Sequence, residues 1–245
     1  MAVFLFIAGL TGSILVWHHE LDAAMNAQWM QVQPPSVNAQ PLDYLTLREQ
    51  VQTRYPDAWV NYINLNTPPD EARVFLLEGA IDSITGQSFN LPNDEIFVDP
   101  YTGAVLGERK WGVISQGWHN LLPFIYKLHY ALALDDLGMW LMGVVAILWT
   151  IDCFVGAYLT FPATVRTHPA TANKAISQNW WKRWWPAWKV RWQSSRYKFN
   201  FDLHRAGGLW PWVMLFVLAW SSVAFNLSEV YHPVMNTLFT MQADQ

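Results

Sequence analysis

Residues 137–161 read LGMWLMGVVAILWTIDCFVGAYLTF, twenty-five residues with no Lys or Arg and one acid, Asp152. At about 1.5 Å of rise per residue, such a run crosses a hydrocarbon core that needs about 20 apolar residues in a helix. Two further stretches have the same character, Met1 to Trp17 (MAVFLFIAGLTGSILVW) and Ala206 to Leu227. The first begins apolar at its first residue and only just reaches spanning length, so a truncated span is expected. It is not read as a secretory signal, because the first basic residue is Arg48 and a signal carries a positive leading region. The whole chain is 52% hydrophobic and 14% charged, with sixteen Trp, which is too apolar for an ordinary soluble domain. A mean hydropathy of only +0.08 excludes a protein made of membrane helices alone. The expectation is an α-helical membrane bundle with an inserted small α+β domain on the extracytoplasmic side.

Charge segregation sets the expected orientation. Residues 18–136 hold fifteen acids against six bases, whereas residues 163–205 hold nine bases against the single acid Asp202. Basic loops stay in the cytoplasm, so the second loop is placed inside and the long acidic loop outside. The expected division is a first transmembrane helix at 1–18, a linker at 19–40, an outer domain at 41–111, an interfacial segment at 112–136, a second span at 137–161, a cytoplasmic loop at 162–204, a third span at 205–227 and an outer tail at 228–245. Trp180, Trp181, Trp184, Trp185, Trp188 and Trp192 stand among the bases of the inner loop. Indoles and cations between two spans suit membrane lipids at the headgroup level better than a nucleic acid, and no nucleic-acid partner is expected.

Between Pro41 and Trp111 the long apolar blocks give way to charges, turns and short alternating runs. LDYLTLREQVQTRY has its apolar residues at roughly helical spacing and stops at Pro56. AWVNYINL, ARVFLLEGAI and DEIFVDP then read as strands, and DPYTG as a tight turn. One helix followed by an antiparallel sheet is expected. The region lacks a Ser-His-Asp set and a glycine-rich phosphate loop, and no histidine lies between His19 and His119, so binding or packing is its default role.

The histidines carry the chemistry. They stand at 18, 19, 119, 129, 168, 204 and 232, and all but His168 lie near a predicted span. An unpartnered imidazole at a bilayer is costly, so each is expected to be hydrogen-bonded, metal-bound or facing water. The predicted topology gathers His18, His19, His119, His129 and His232 at the outer face and leaves His204 at the inner one. Gly9 and Gly12 make a smooth helix face, and His19, seven residues or about 700° beyond Gly12, shares it in a continuous helix. His18 is rotated about 100° away, which makes His19 the better ligand of the pair. Leu128-His129-Tyr130-Ala131 and Leu203-His204-Arg205-Ala206 are echoes, each followed by glycine and Trp as the next span opens. Successive spans run in opposite directions, so this echo suits two haems near opposite faces. Interfacial histidines that cap helices are the alternative, and zinc is a weaker one. Covalent haem is excluded, since Cys153 is the only cysteine. Asp152 is expected to face the bundle interior.

GLTGSILVWHHELDAAMN, VDPYTGAVLGERKW, KLHYALALDDLGMWLMGVVAILW and DLHRAGGLWPWVMLFVLAWSSVAFNL together resemble the PepSY-associated transmembrane family of bacteria, across nearly the whole chain. The resemblance implies a PepSY-like periplasmic domain, a multi-pass location in the inner membrane, and kinship with iron-regulated proteins and ferric-siderophore reductases that carry non-covalent haem b. On that reading His19 and His129 hold an outer haem iron, with His232, His18 and His204 as further candidate ligands. Electrons pass from a quinone or cytoplasmic donor to a ferric siderophore, an oxidoreductase activity. Family members often add a cytoplasmic histidine segment and a fourth span, so here His204 is expected to lack a partner and one haem to bind tightly. The alternative implied is a non-enzymatic, membrane-anchored PepSY module that binds a peptidase or envelope partner. No catalytic residue is identifiable.

Overall fold

The computed structural model describes residues 2–36, 38–162 and 179–239, in two compact units: Leu5–Asp135, and Met1–Phe4 with Asp136–Gln245. It is mostly helical, with one small antiparallel sheet.

In the first unit the apolar helix α1 (Ala2–Leu15) does not continue through the histidines. Its last turn tightens, with Trp17 N donating to Ile14 O, and the chain bends by 68° into α2 (His18–Met25), followed by the short α3 (Ala27–Met30). Helix therefore occupies part of the stretch expected to be linker. The bend also removes the continuous helix on which the shared face of Gly12 and His19 was counted. Helix α4 (Tyr44–Arg54) starts where Asp43 accepts from the amides of Leu45 (2.9 Å) and Thr46 (3.0 Å), satisfying two of the donors that a helix start leaves open.

The sheet is a meander in the order β1 (Ala58–Ile63), β2 (Arg73–Gly79), β3 (Glu95–Val98) and β4 (Val105–Arg109). Three strands match the runs expected from sequence, and β4 is an addition. Strand alternation sends Phe75, Leu77, Ile96 and Val98 to one face, where they bury Leu47 and Val51 of α4. Register puts Tyr62 opposite Leu76, Leu76 opposite Glu95, and Glu95 opposite Arg109, so these residues form a row across the other face. The β3–β4 turn is DPYTG. Asp99 Oδ1 accepts from Tyr101 N at 2.7 Å, and Gly103 closes the loop at φ +73°, which a side chain would strain. Residues 82–86, DSITG, repeat that turn, with Asp82 accepting from Ile84 N and Gly86 at φ +68°. Helix α5 (Leu121–Ala131) lies in the segment expected to be interfacial.

In the second unit α6 (Asp135–Leu159) is long and apolar enough to cross a membrane. Its buried residues Gly138, Gly143, Ala146, Thr150 and Cys153 make a stripe of small side chains, and Ala146 packs with Val223 and Leu227. Asp152 departs from expectation: it is exposed and lies outside that stripe, because the close approach of Leu227 and Asn226 at Gly143 favours small residues on the packed side. After α7 (Trp180–Trp184), the third apolar run is broken. Helix α8 (Arg196–Leu209) bends by 63° into α9 (Trp212–Asn226) at Trp210–Pro211, where the proline ring cannot continue the helical hydrogen bonding. Helix α10 (Ser228–Phe239) occupies the expected tail and packs on α9, with Trp220 Nε1 donating to Met235 Sδ. By length and composition the described residues contain one candidate span, or up to three if each bent pair counts as one.

Candidate functional site

The other face of the sheet holds a buried ion network. Arg109, at the end of β4, is 2% exposed; its Nη1 and Nη2 donate to Asp22 of α2 at 3.1 and 2.7 Å, and its Nε donates to Glu95 at 2.5 Å. Nη1 also donates to the carbonyl of His119 at 2.7 Å. Asn26, one turn beyond Asp22, donates through Nδ2 to Asp22 Oδ1 and the same carbonyl, so α2 presents both polar residues to one place. The Arg109 guanidinium lies 5.1 Å from the centre of the Phe97 ring, and Trp29 packs on Phe97 and His119. Gly107 is required here, since a Cβ would enter the Trp29 indole.

Burial is the main electrostatic force on these groups. It pushes the Glu95 carboxyl up, against the opposing pull of Arg109. For Arg109 burial works downward, but hydrogen bonds to Asp22 and Glu95 outweigh it and hold the guanidinium above its ordinary value. The His119 imidazole is held below its ordinary value by burial and then by the Arg109 charge.

A cleft of about 220 Å³ opens over this network. Val74, Leu76 and Phe97 are its apolar sheet side chains, Asp22, Glu95 and Arg109 its ionic ones, and His18, His19, Met30, Tyr62 and Asn64 complete it. Sequence reasoning named neither Arg109 nor Asp22 as site residues. The signal present was only that Arg109 is one of six bases in an acidic region.

The candidate histidines take separate roles. His19 is 59% exposed and its Nε2 meets Glu71 at 3.2 Å. His129 Nδ1 meets Thr11 Oγ1 at 2.9 Å, and its Cε1 lies 3.1 Å from where a Gly12 Cβ would stand, so the smooth face of α1 receives His129. His18 has a buried Nε2 with no hydrogen-bond partner among the described residues and meets Tyr126 edge-on. His204 and His232 are exposed, and His168 lies outside the described residues. Among the described residues of the first unit, no hydrogen bond or ring contact joins two histidines, and nowhere among the described residues do three or more His, Cys, Asp or Glu form a metal-binding group. Imidazoles are suitable donors for haem iron, and His19 and His129 each place one ring nitrogen on a neighbouring side chain, Glu71 and Thr11 respectively, which orients the ring and leaves its second nitrogen over.

Fold and site together define a membrane protein that carries a small helix-and-sheet domain with a cleft. Its whole length, residues 1–245, matches the model of the PepSY-associated TM region, and the chain belongs to that family. No curated protein matches the chain.

Proposed function

We propose that this protein is a multi-pass inner-membrane protein whose PepSY-like domain lies on the periplasmic side and serves as a non-enzymatic binding module, with occupancy relayed to the membrane. One observation carries this reading: Arg109 ties the ligand-accessible face of the sheet to α2, the direct continuation of the apolar α1. Small displacements of the sheet face are then felt by the helix that leads into the bilayer, since a packed ion network has few alternative arrangements. The excess of bases over acids in residues 163–205 supports the orientation, and the Trp-rich segment between α6 and α8 suits the inner headgroup layer. Accessibility tags test it. A tag near Pro68 is expected to react from outside, and one near Asn173, which lies outside the described residues, only from inside; the reverse pattern overturns the assignment.

A second reading, haem-b electron transfer to a ferric siderophore, is favoured by one feature, the buried and unpartnered Nε2 of His18. Protein purified from haem-replete cells decides it. A Soret band that His18→Ala or His129→Ala abolishes supports haem, and a colourless protein removes the reading.

A further inference from the structure

We propose that the cleft over Arg109 binds an alkylammonium or guanidinium group, presented by a basic peptide side chain or a small amine. The inference rests on the reading of the domain as a binding module and names what it binds. The charge balance comes first. Arg109 directs Nε, Nη1 and Nη2 to Glu95, Asp22 and the His119 carbonyl, so its charge is committed inside the protein and is poorly placed to receive an anion. Two carboxylates against one guanidinium leave an excess of acceptor capacity. Asp22 uses both oxygens on Arg109 and Asn26, whereas among the described residues Glu95 is bonded only through Oε2. Glu95 Oε1 therefore remains an acceptor on a residue that lines the cleft. His19, also in the lining, is paired with Glu71, which is not itself a lining residue.

Shape and polarity agree with charge. Val74, Leu76 and Phe97 offer an apolar surface for methylenes next to that acceptor, the combination that a long cationic side chain needs, with its stem dry and its head hydrogen-bonded. A volume of about 220 Å³ is below the roughly 300–1,000 Å³ typical of sites for whole drug-sized ligands. One side chain or a short amine is the matching size. The side-chain amide of Asn64 and the Tyr62 hydroxyl, 56% exposed as a residue, stand in the same lining as further polar partners.

The full chain in neutral phosphatidylcholine nanodiscs, titrated calorimetrically, tests this. The probes are n-butylammonium, N-methylguanidinium and a trilysine peptide, with 1-butanol and butyrate as neutral and anionic counterparts. Saturable binding of the cations, absent for butanol and butyrate, is expected. Trilysine binding far above butylammonium would assign the source as peptide, and equal affinity as a small amine. Glu95→Gln is expected to weaken binding by about tenfold or more, the usual weight of a hydrogen bond to a charged group. Should that variant fail to fold, Leu76→Trp fills the cleft while leaving every ionic side chain of the network in place and is expected to abolish binding. Butanol or butyrate binding as well as the cations, or cation binding that survives Leu76→Trp, overturns the ligand assignment while leaving the module reading standing. No binding by any probe overturns the inference, and the module reading is then judged by the coupling of α2 to β4.

Discussion

Arg109 and Asp22 are joined by two hydrogen bonds, of 3.1 and 2.7 Å, although 87 residues separate them in the chain. Both side chains are almost fully buried, at 2% and 3% exposure. A pair like this contributes little net stability compared with a well-packed apolar pair, because both charges lose their hydration. Breaking it from one side is another matter: without Arg109 the Asp22 and Glu95 carboxylates stay buried with no cation, whereas without Asp22 the guanidinium still has Glu95.

Arg109→Met is therefore expected to cost about 3–5 kcal/mol, Asp22→Ala less, and the double variant Asp22→Leu/Arg109→Met less than the sum of its singles. Denaturant titration in detergent micelles checks this. Additive losses would show that the two residues do not act as a pair.

At the helix pair α1 and α5 the relevant contact is Gly12 against His129. Gly12→Leu is expected to force the imidazole away from Thr11 and lower the thermal midpoint. Thr11→Val, which removes the 2.9 Å hydrogen bond to His129 together with the hydroxyl's bond to the Ile7 carbonyl, is expected to cost about 1 kcal/mol. An unchanged midpoint for Gly12→Leu would contradict this packing.

The chain leaves α5 through Leu132 and Ala133, at φ +51° and +57°, a conformation that side chains disfavour. Ala133→Gly is expected to stabilise the protein by up to about 1 kcal/mol. A lower thermal midpoint for that variant would show that the turn is not strained.

The His119 imidazole sits below its ordinary value through burial and then the Arg109 charge. Its folded-state value is thus lower than its unfolded one, so its contribution is present above the ordinary imidazole range and is lost as pH falls through the folded value. Stability is expected to fall on acidification below about pH 6.5 and to fall less steeply in His119→Gln. Identical slopes for the two proteins would rule out His119 as the cause.

Much of this architecture is legible in the sequence where periodicity or length decides. The long apolar run ending at Phe161, free of Lys and Arg, gives α6, and β-branched and aromatic runs ended by turn residues give β1, β2 and β3. Strand β4 is not legible, because VLGER carries a glycine and two charges and reads as a loop; only Trp29 packing on Gly107 and the burial of Arg109 make it interior. Nor are the bends. Helix α1 ends before Val16 with no proline nearby, and α2 is drawn by Asp22 and Asn26 into a network whose other members lie about ninety residues away. The site suffered for the same reason: histidines stand out by type and position, whereas an arginine becomes informative only once folding buries it.

The central claim, that the sheet face and the helix leading into the membrane move as one, is tested most directly by hydrogen–deuterium exchange of the full chain in nanodiscs. In Arg109→Met the account predicts a joint loss of amide protection in β4 (Val105–Arg109) and α2 (His18–Met25), with α4 (Tyr44–Arg54), on the opposite face of the sheet, unchanged. Loss confined to β4, with α2 as protected as in the unaltered protein, would contradict it.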